Sequence, residues 1–188
     1  MSRIPKWENR RTGQLAEGVR DGDELLIRRA RGSQYADQGE PQAQPGDVWL
    51  LATDHRQSYI TIDVDHQASA IPSKRLRHLT LKVAKVTGSL TTRRKTEARN
   101  AFGRPAEGLE TIIDQAPAAI IRETVANPPR GQDVIQPLAI RRRFLISTEI
   151  GPAQGDSATF YSPGGAGIEL TVLHVSQVAA NLWELETS

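Results

Sequence analysis

The sequence predicts an α+β protein rich in strands: a mostly antiparallel sheet or barrel, with one helical segment at about residues 105–126 and long polar loops. Three observations carry this. Short apolar runs recur at alternate positions or in tight clusters, the signature of half-buried and buried strands. The 15 Gly and 11 Pro are spread along the chain and cut it into short elements. Only from Leu109 to Val125 do the apolar residues fall at helical spacing instead.

Taken in order, residues 1–20 have neither period and read as a tail or arm, with Trp7 as the residue that would anchor it to something else. Asp21-Gly22-Asp23 is a turn signal, and Leu25-Leu26-Ile27 after it is a strand closing in Arg28-Arg29. Ala30 to Gly46, with Gly32, Gly39, Pro41 and Pro45, is a surface loop, and Gly46-Asp47 launches a strand at Val48-Trp49-Leu50-Leu51-Ala52. Ser58 to Asp65 alternates, with Ile60, Ile62 and Val64 on one face and Tyr59, Thr61, Asp63 and Asp65 on the other. Leu79, Leu81 and Val83 mark a further strand after the break at Ile71-Pro72-Ser73 and the basic run Lys74-Arg75-Leu76-Arg77-His78.

Residues 88–104 are polar, with Thr91-Thr92-Arg93-Arg94-Lys95-Thr96 at their centre, and read as an extended basic loop of the functional kind. Leu109, Ile112, Ile113, Ala116, Ile120 and Val125 then form a helical stripe, kinked at Pro117 and stopped by Asn127-Pro128-Pro129. Strands return with Leu138, Ile140, Arg142, Phe144 and Ile146 on one face. Pro163-Gly164-Gly165-Ala166-Gly167 is a hairpin turn, Ile168 to Val175 a central strand, and Leu182-Trp183-Glu184-Leu185 a last one. No internal repeat is evident. Residues 21–188 are expected to form a single β-rich domain behind the tail.

Charge is unevenly distributed. The net charge is +2, yet residues 66–105 carry ten basic side chains against the single acid Glu97, while residues 106–188 carry five basic and ten acidic. The chain has no cysteine, which excludes disulfides, thiolate metal sites and cysteine nucleophiles. No apolar run approaches the ~18 residues of a membrane span, and Met1 to Trp7 lack the apolar stretch of a signal peptide. The cytoplasm is the expected compartment.

Catalytic patterns are missing. His55, His66, His78 and His174 form no His-x-x-x-His or His-x-Asp cluster, so Asp54-His55 and Asp65-His66 read as solvated polar positions rather than metal ligands. Lys82 and Lys85 lack the carboxylate two residues earlier that a nuclease motif needs, and no Gly-x-Ser-x-Gly is present. Gly164-Gly165-Ala166-Gly167 precedes a strand, not the helix N-terminus that would hold a phosphate. No enzyme activity, metal or cofactor is expected.

The residues assigned to partner binding are therefore Arg93, Arg94, Lys95, Arg99 and Arg104 of the basic loop, meeting acidic surface of a neighbouring subunit. Leu25-Leu26-Ile27-Arg28-Arg29, the Gly/Gln/Pro loop with Tyr35, and Gly46-Asp47-Val48-Trp49 resemble the N-terminal half of tailed-phage virion proteins over residues 20–65. That resemblance, to head–tail connector and tail subunits, implies a structural, non-catalytic role in a multi-copy ring and a place in the virion. The Gly-Asp-Val strand opening also resembles small RNA-binding β-barrels of the PUA/ASCH kind. This second likeness implies nucleic-acid binding through residues 74–104.

Overall fold

In a computed structural model, which describes residues 4–30, 39–67, 78–99, 105–126 and 139–188, the chain forms strands and turns and, among the described residues, no helix. The strands are β1 (Lys6–Asn9), β2 (Leu15–Asp21), β3 (Glu24–Arg29), β4 (Val48–Leu51), β5 (Asp54–Gln67), β6 (His78–Lys85), β7 (Gly88–Arg99), β8 (Pro105–Ala126), β9 (Ala139–Ser147), β10 (Ser157–Tyr161), β11 (Gly167–Ala179) and β12 (Leu182–Thr187). Two compact units result: Met1–Val86 with Ala179–Leu182, and Thr87–Val178 with Trp183–Ser188.

Strands β1 to β6 close into a barrel in the order β1-β2-β3-β6-β5-β4, and β7 to β12 close into another in the order β7-β8-β9-β12-β11-β10. Each barrel is two three-strand meanders whose first strands pair and whose third strands pair. Closure uses up the strand edges that an open sheet would leave for aggregation. Barrel 1 packs Trp7, Ala16, Leu25, Ile27, Trp49, Tyr59, Leu79, Leu81 and Val83 inside. Barrel 2 packs Leu90, Ile113, Ala116, Phe144, Ile146, Phe160, Leu170, Val172 and Leu185, among others.

Several expectations are corrected. The predicted tail contains β1 and β2, and Trp7, 3% exposed, is a core residue whose Nε1 donates to Gly18 O at 3.2 Å and whose ring meets Tyr59 edge-on. The predicted helix is strand β8. Its pairing with β7 shifts twice, between Leu90↔Ala116, Thr92↔Ile113 and Arg93↔Thr111, and Gln115 takes φ 48° within the first shift. Each bulge adds a residue and moves the next inward side chain from two positions away to three. Ile113 and Ala116 therefore reach the same core at the spacing of a helix turn.

A bulge likewise overturns the expected faces of β5. Tyr59 packs in the core before the register shift at Thr61/Asp63, and Val64 packs against the same core after it. Asp63 and Asp65 remain exposed on the outside.

The absence of a repeat is also corrected. The two barrels share one strand order, and their ladders match pair for pair. Trp7↔Ala16 corresponds to Leu90↔Ala116, and Asn9↔Trp49 to Thr92↔Ala158. Gly18↔Ile27 corresponds to Ala118↔Ile146, and Arg20↔Leu25 to Ile120↔Phe144. Gly46 N donates to Thr61 O as Gly155 N does to Val172 O, both at 2.8 Å. The inward residues Trp7, Ala16, Leu25, Ile27, Trp49 and Tyr59 thus stand where Leu90, Ala116, Phe144, Ile146, Ala158 and Leu170 stand in barrel 2. The chain is a tandem of one six-stranded module.

Comparing the modules locates a defect particular to barrel 1, apart from the unpartnered Thr92 Oγ1 of barrel 2. Trp49 Nε1 and Thr61 Oγ1 are buried in barrel 1 without a protein hydrogen-bond partner, whereas barrel 2 carries the apolar Ala158 and Val172 at those places. A buried hydroxyl without a partner costs ~1–3 kcal/mol. Thr61→Val, which installs the residue of the other module, is expected to stabilise the protein by about 1 kcal/mol in a denaturant titration. A destabilised variant would show instead that the hydroxyl is satisfied by bound water.

Candidate interaction surface

Each barrel is pinned at one corner by the same device. In barrel 1, β4 opens after Gly46 at φ 91°, which lets the chain turn so that the buried Asp47 carboxylate points back at β1. Arg11 grips it through two bonds, Nε to Oδ1 at 2.6 Å and Nη2 to Oδ2 at 3.0 Å, and Oδ2 also accepts from Asn9 Nδ2 and Gln44 N. In barrel 2, Gly155 at φ 89° precedes the buried Asp156. Arg94 grips this carboxylate through Nε and Nη2, both at 2.9 Å, and Ala153 N donates to it at 2.7 Å. Parallel bonds between a guanidinium fork and a carboxylate fix both position and orientation.

The electrostatics of the second clamp follow from its surroundings. Burial by itself would push the Asp156 carboxyl up. The Arg94 guanidinium, together with the Ala153 N–H, more than offsets this and holds it below its ordinary value. Arg94 in turn is raised above the ordinary arginine value, first by its hydrogen bonds to Asp156 and then by the charges of Asp156 and Glu110.

The clamp divides the basic segment in two. Residues 88–104, expected as a loop, contain strand β7. Its threonines favour extended backbone, and it pairs with β8 from Gly88↔Ala118 to Arg99↔Pro105. Its pairing with β10 ends at Ser157↔Arg93. Beyond that point, β7 and β8 continue as a two-stranded ribbon. Arg93 and Lys95 are exposed on one face of it, opposite Thr111 and Leu109, and Leu109 is 61% exposed. Arg94 points the other way, into the clamp.

The structure therefore separates residues that the sequence reading groups. Arg93 and Lys95 sit together on the ribbon face. Arg94 is engaged with Asp156 inside its own barrel. Arg99 closes the described part of the ribbon through its backbone, and Arg104 lies outside the described residues, as do Lys74 to Arg77 and Tyr35. The sequence does contain a sign of the clamp: Asn9-Arg10-Arg11-Thr12 and Thr92-Arg93-Arg94-Lys95 are equivalent segments, each matched by a Gly-Asp before the fourth strand of its module.

Other ion pairs lie on β9. Arg141, Arg142 and Arg143 of β9 meet Glu186, Glu123 and Glu184. Among the described residues, no group of three His, Cys, Asp or Glu side chains is placed to hold a metal ion. Among the described residues, no helix is long and apolar enough to cross a membrane.

Fold and surface together define a class: a tandem of two closed six-stranded barrels, each locked by an Arg–Asp clamp, with a two-stranded ribbon growing from the second. No family model, curated protein or solved structure matches the chain.

Proposed function

We propose that this protein is a non-enzymatic structural subunit of a multi-copy complex, of the kind that head–tail connectors and tail components supply in tailed-phage virions. The observation that carries the reading is the β7–β8 ribbon. Two closed barrels offer few free strand edges, so contact with a neighbour falls to side chains on projecting elements. The ribbon presents Arg93, Lys95 and Leu109 to solvent on one face. Two cations beside one exposed apolar residue suit an acidic protein surface with a shallow apolar socket. Long-range attraction would bring the surfaces together, and burial of the leucine would hold them. The clamp below the ribbon supplies the rigid root that such a contact needs.

The test is native mass by light scattering at low and high salt, with and without nuclease. The expected result is a defined, nucleic-acid-free oligomer that salt dissociates. Replacing Arg93, Lys95 and Arg99 by glutamate is expected to reduce it to the 20.7 kDa single chain without changing the melting temperature. Arg94 is left out of this variant because it holds the clamp. A single-chain mass for the native protein under all conditions would overturn the proposal.

The ten basic side chains of residues 66–105 favour one second reading, a nucleic-acid-binding module. It predicts a monomer whose preparations carry nuclease-sensitive material, with affinity falling steeply as salt rises.

A further inference from the structure

The two clamps differ in how fully their carboxylates are used. An ionised carboxylate offers about four acceptor sites. Asp47 fills them with four donors: Arg11 Nε and Nη2, Asn9 Nδ2 and Gln44 N. Asp156 receives three: Arg94 Nε and Nη2, and Ala153 N. The donor without a counterpart in barrel 2 is the Asn9 amide. Thr92 stands at that place, fully buried, and its Oγ1 has no protein partner. Thr92 pairs with Ala158 and Arg93 with Ser157, so Thr92 and Arg94 share a face with Asp156 and Ala158. An unpartnered hydroxyl and a carboxylate with a spare acceptor site therefore lie on one face of one corner.

We propose that barrel 2 binds a buried water molecule at this corner, donating to Asp156 and hydrogen-bonded to Thr92 Oγ1, in the place that the Asn9 amide takes in barrel 1. The chemistry of the corner selects the occupant. A carboxylate only accepts, whereas a hydroxyl both donates and accepts, so one small neutral molecule that does both satisfies the two groups together. The Arg94 guanidinium disfavours a cation there, and the Asp156 carboxylate disfavours an anion. Space comes from the same exchange: the pair Asn9↔Trp49 becomes Thr92↔Ala158, and both side chains beside the clamp shorten. Two polar partners meet the lower limit for a buried water. Thr61 of barrel 1 is a different case, because the Asp47 carboxylate has its acceptor sites filled. The same Thr→Val exchange therefore acts with opposite sign in the two barrels.

Two variants of the full chain test this. Thr92→Val keeps the shape of the side chain and removes the hydroxyl that holds the water. Its denaturant midpoint is expected to fall below that of the native protein, whereas Thr61→Val raises it. Thr92→Asn brings an amide to the place of the water, as in barrel 1. Magnetic relaxation dispersion of the water oxygen counts long-lived internal waters, and this variant is expected to hold one fewer than the native chain. A midpoint raised by Thr92→Val would mean that the hydroxyl is buried without any partner, and it overturns the site. An unchanged water count in a folded Thr92→Asn protein overturns it as well. Should the asparagine variant not fold, the native chain decides by magnetisation transfer from water to the Thr92 side chain. A transfer with the sign of a bound molecule supports the site, and its absence overturns it.

Discussion

Asp47→Ala is expected to cost about 3–5 kcal/mol, and Asp156→Ala about 2–4 kcal/mol, in urea unfolding monitored by circular dichroism. Both carboxylates are nearly inaccessible, with side chains 1% and 3% exposed, and both accept charge-assisted bonds that water cannot replace in place. Asp47 is given the larger effect because it also accepts from the buried Asn9 Nδ2, which would keep only its 3.3 Å bond to Gln42 O, and from Gln44 N, whereas Asp156 otherwise serves only Ala153 N. The arginines themselves are 41% exposed and rehydrate, so both losses come from the buried donors left without an acceptor and from the vacated corner rather than from an uncompensated buried charge. A loss under about 1 kcal/mol at either site would show that the clamp is not what orders the corner.

Asp156 also carries a pH signature. Its folded carboxyl lies below the ordinary value, while an aspartate in an unfolded chain titrates near ~3.9. The clamp's contribution is then fully present above that pH and is lost as the pH falls through the folded value. Acid unfolding should be shallower in Asp156→Asn than in the native protein, and a native-like acid limb in that variant would count against the assignment.

Phe144→Ala is expected to destabilise barrel 2 by about 3–5 kcal/mol. Phe144 is fully buried and lies 5.1 Å from the Phe160 ring, within a core that also holds Leu90, Ile146 and Val172. Truncation removes the ring from that contact and leaves a cavity that a closed barrel collapses poorly around. Phe144→Leu installs what barrel 1 has at the equivalent place, Leu25, and is expected to cost about 1–1.5 kcal/mol. Denaturant midpoints give both values. Equal losses for the two variants would mean that shape rather than volume governs this position.

The strands were legible wherever a ladder runs without interruption. Leu25 and Ile27 alternate with Glu24 and Leu26, and β3 buries them in that pattern. Asp21-Gly22-Asp23, Gly46-Asp47 and Gly164 mark turns that the backbone confirms by positive φ at each glycine. Legibility failed at bulges, since an added residue resets the two-residue period locally. In β8 it produced the spacing of a helix, and in β5 it exchanged the faces. It failed again in β7, where the sequence beyond Arg93 is polar and so leaves no apolar period to read.

The module repeat escaped for a related reason. Hairpins of unequal length separate equivalent positions by different distances in each strand, so no fixed period survives. Core partners trade volume as well, Trp7 for Leu90 and Trp49 for Ala158, so residue identity does not survive either. What endured is what geometry cannot replace: the positive-φ glycine, the buried aspartate after it, and the arginine that neutralises it.

Composition, turn residues and local alternation by themselves determined a β-rich chain with a basic middle and acidic flanks, because those properties depend only on neighbours in sequence. Tertiary structure alone decided that β1 and β2 belong to a barrel rather than a tail, that there are two modules, and that Arg94 is committed to Asp156 while Arg93 and Lys95 face solvent. Barrel closure and side-chain pairing bring together residues far apart in the chain, and no local pattern encodes which of two adjacent arginines will find a buried carboxylate across the sheet.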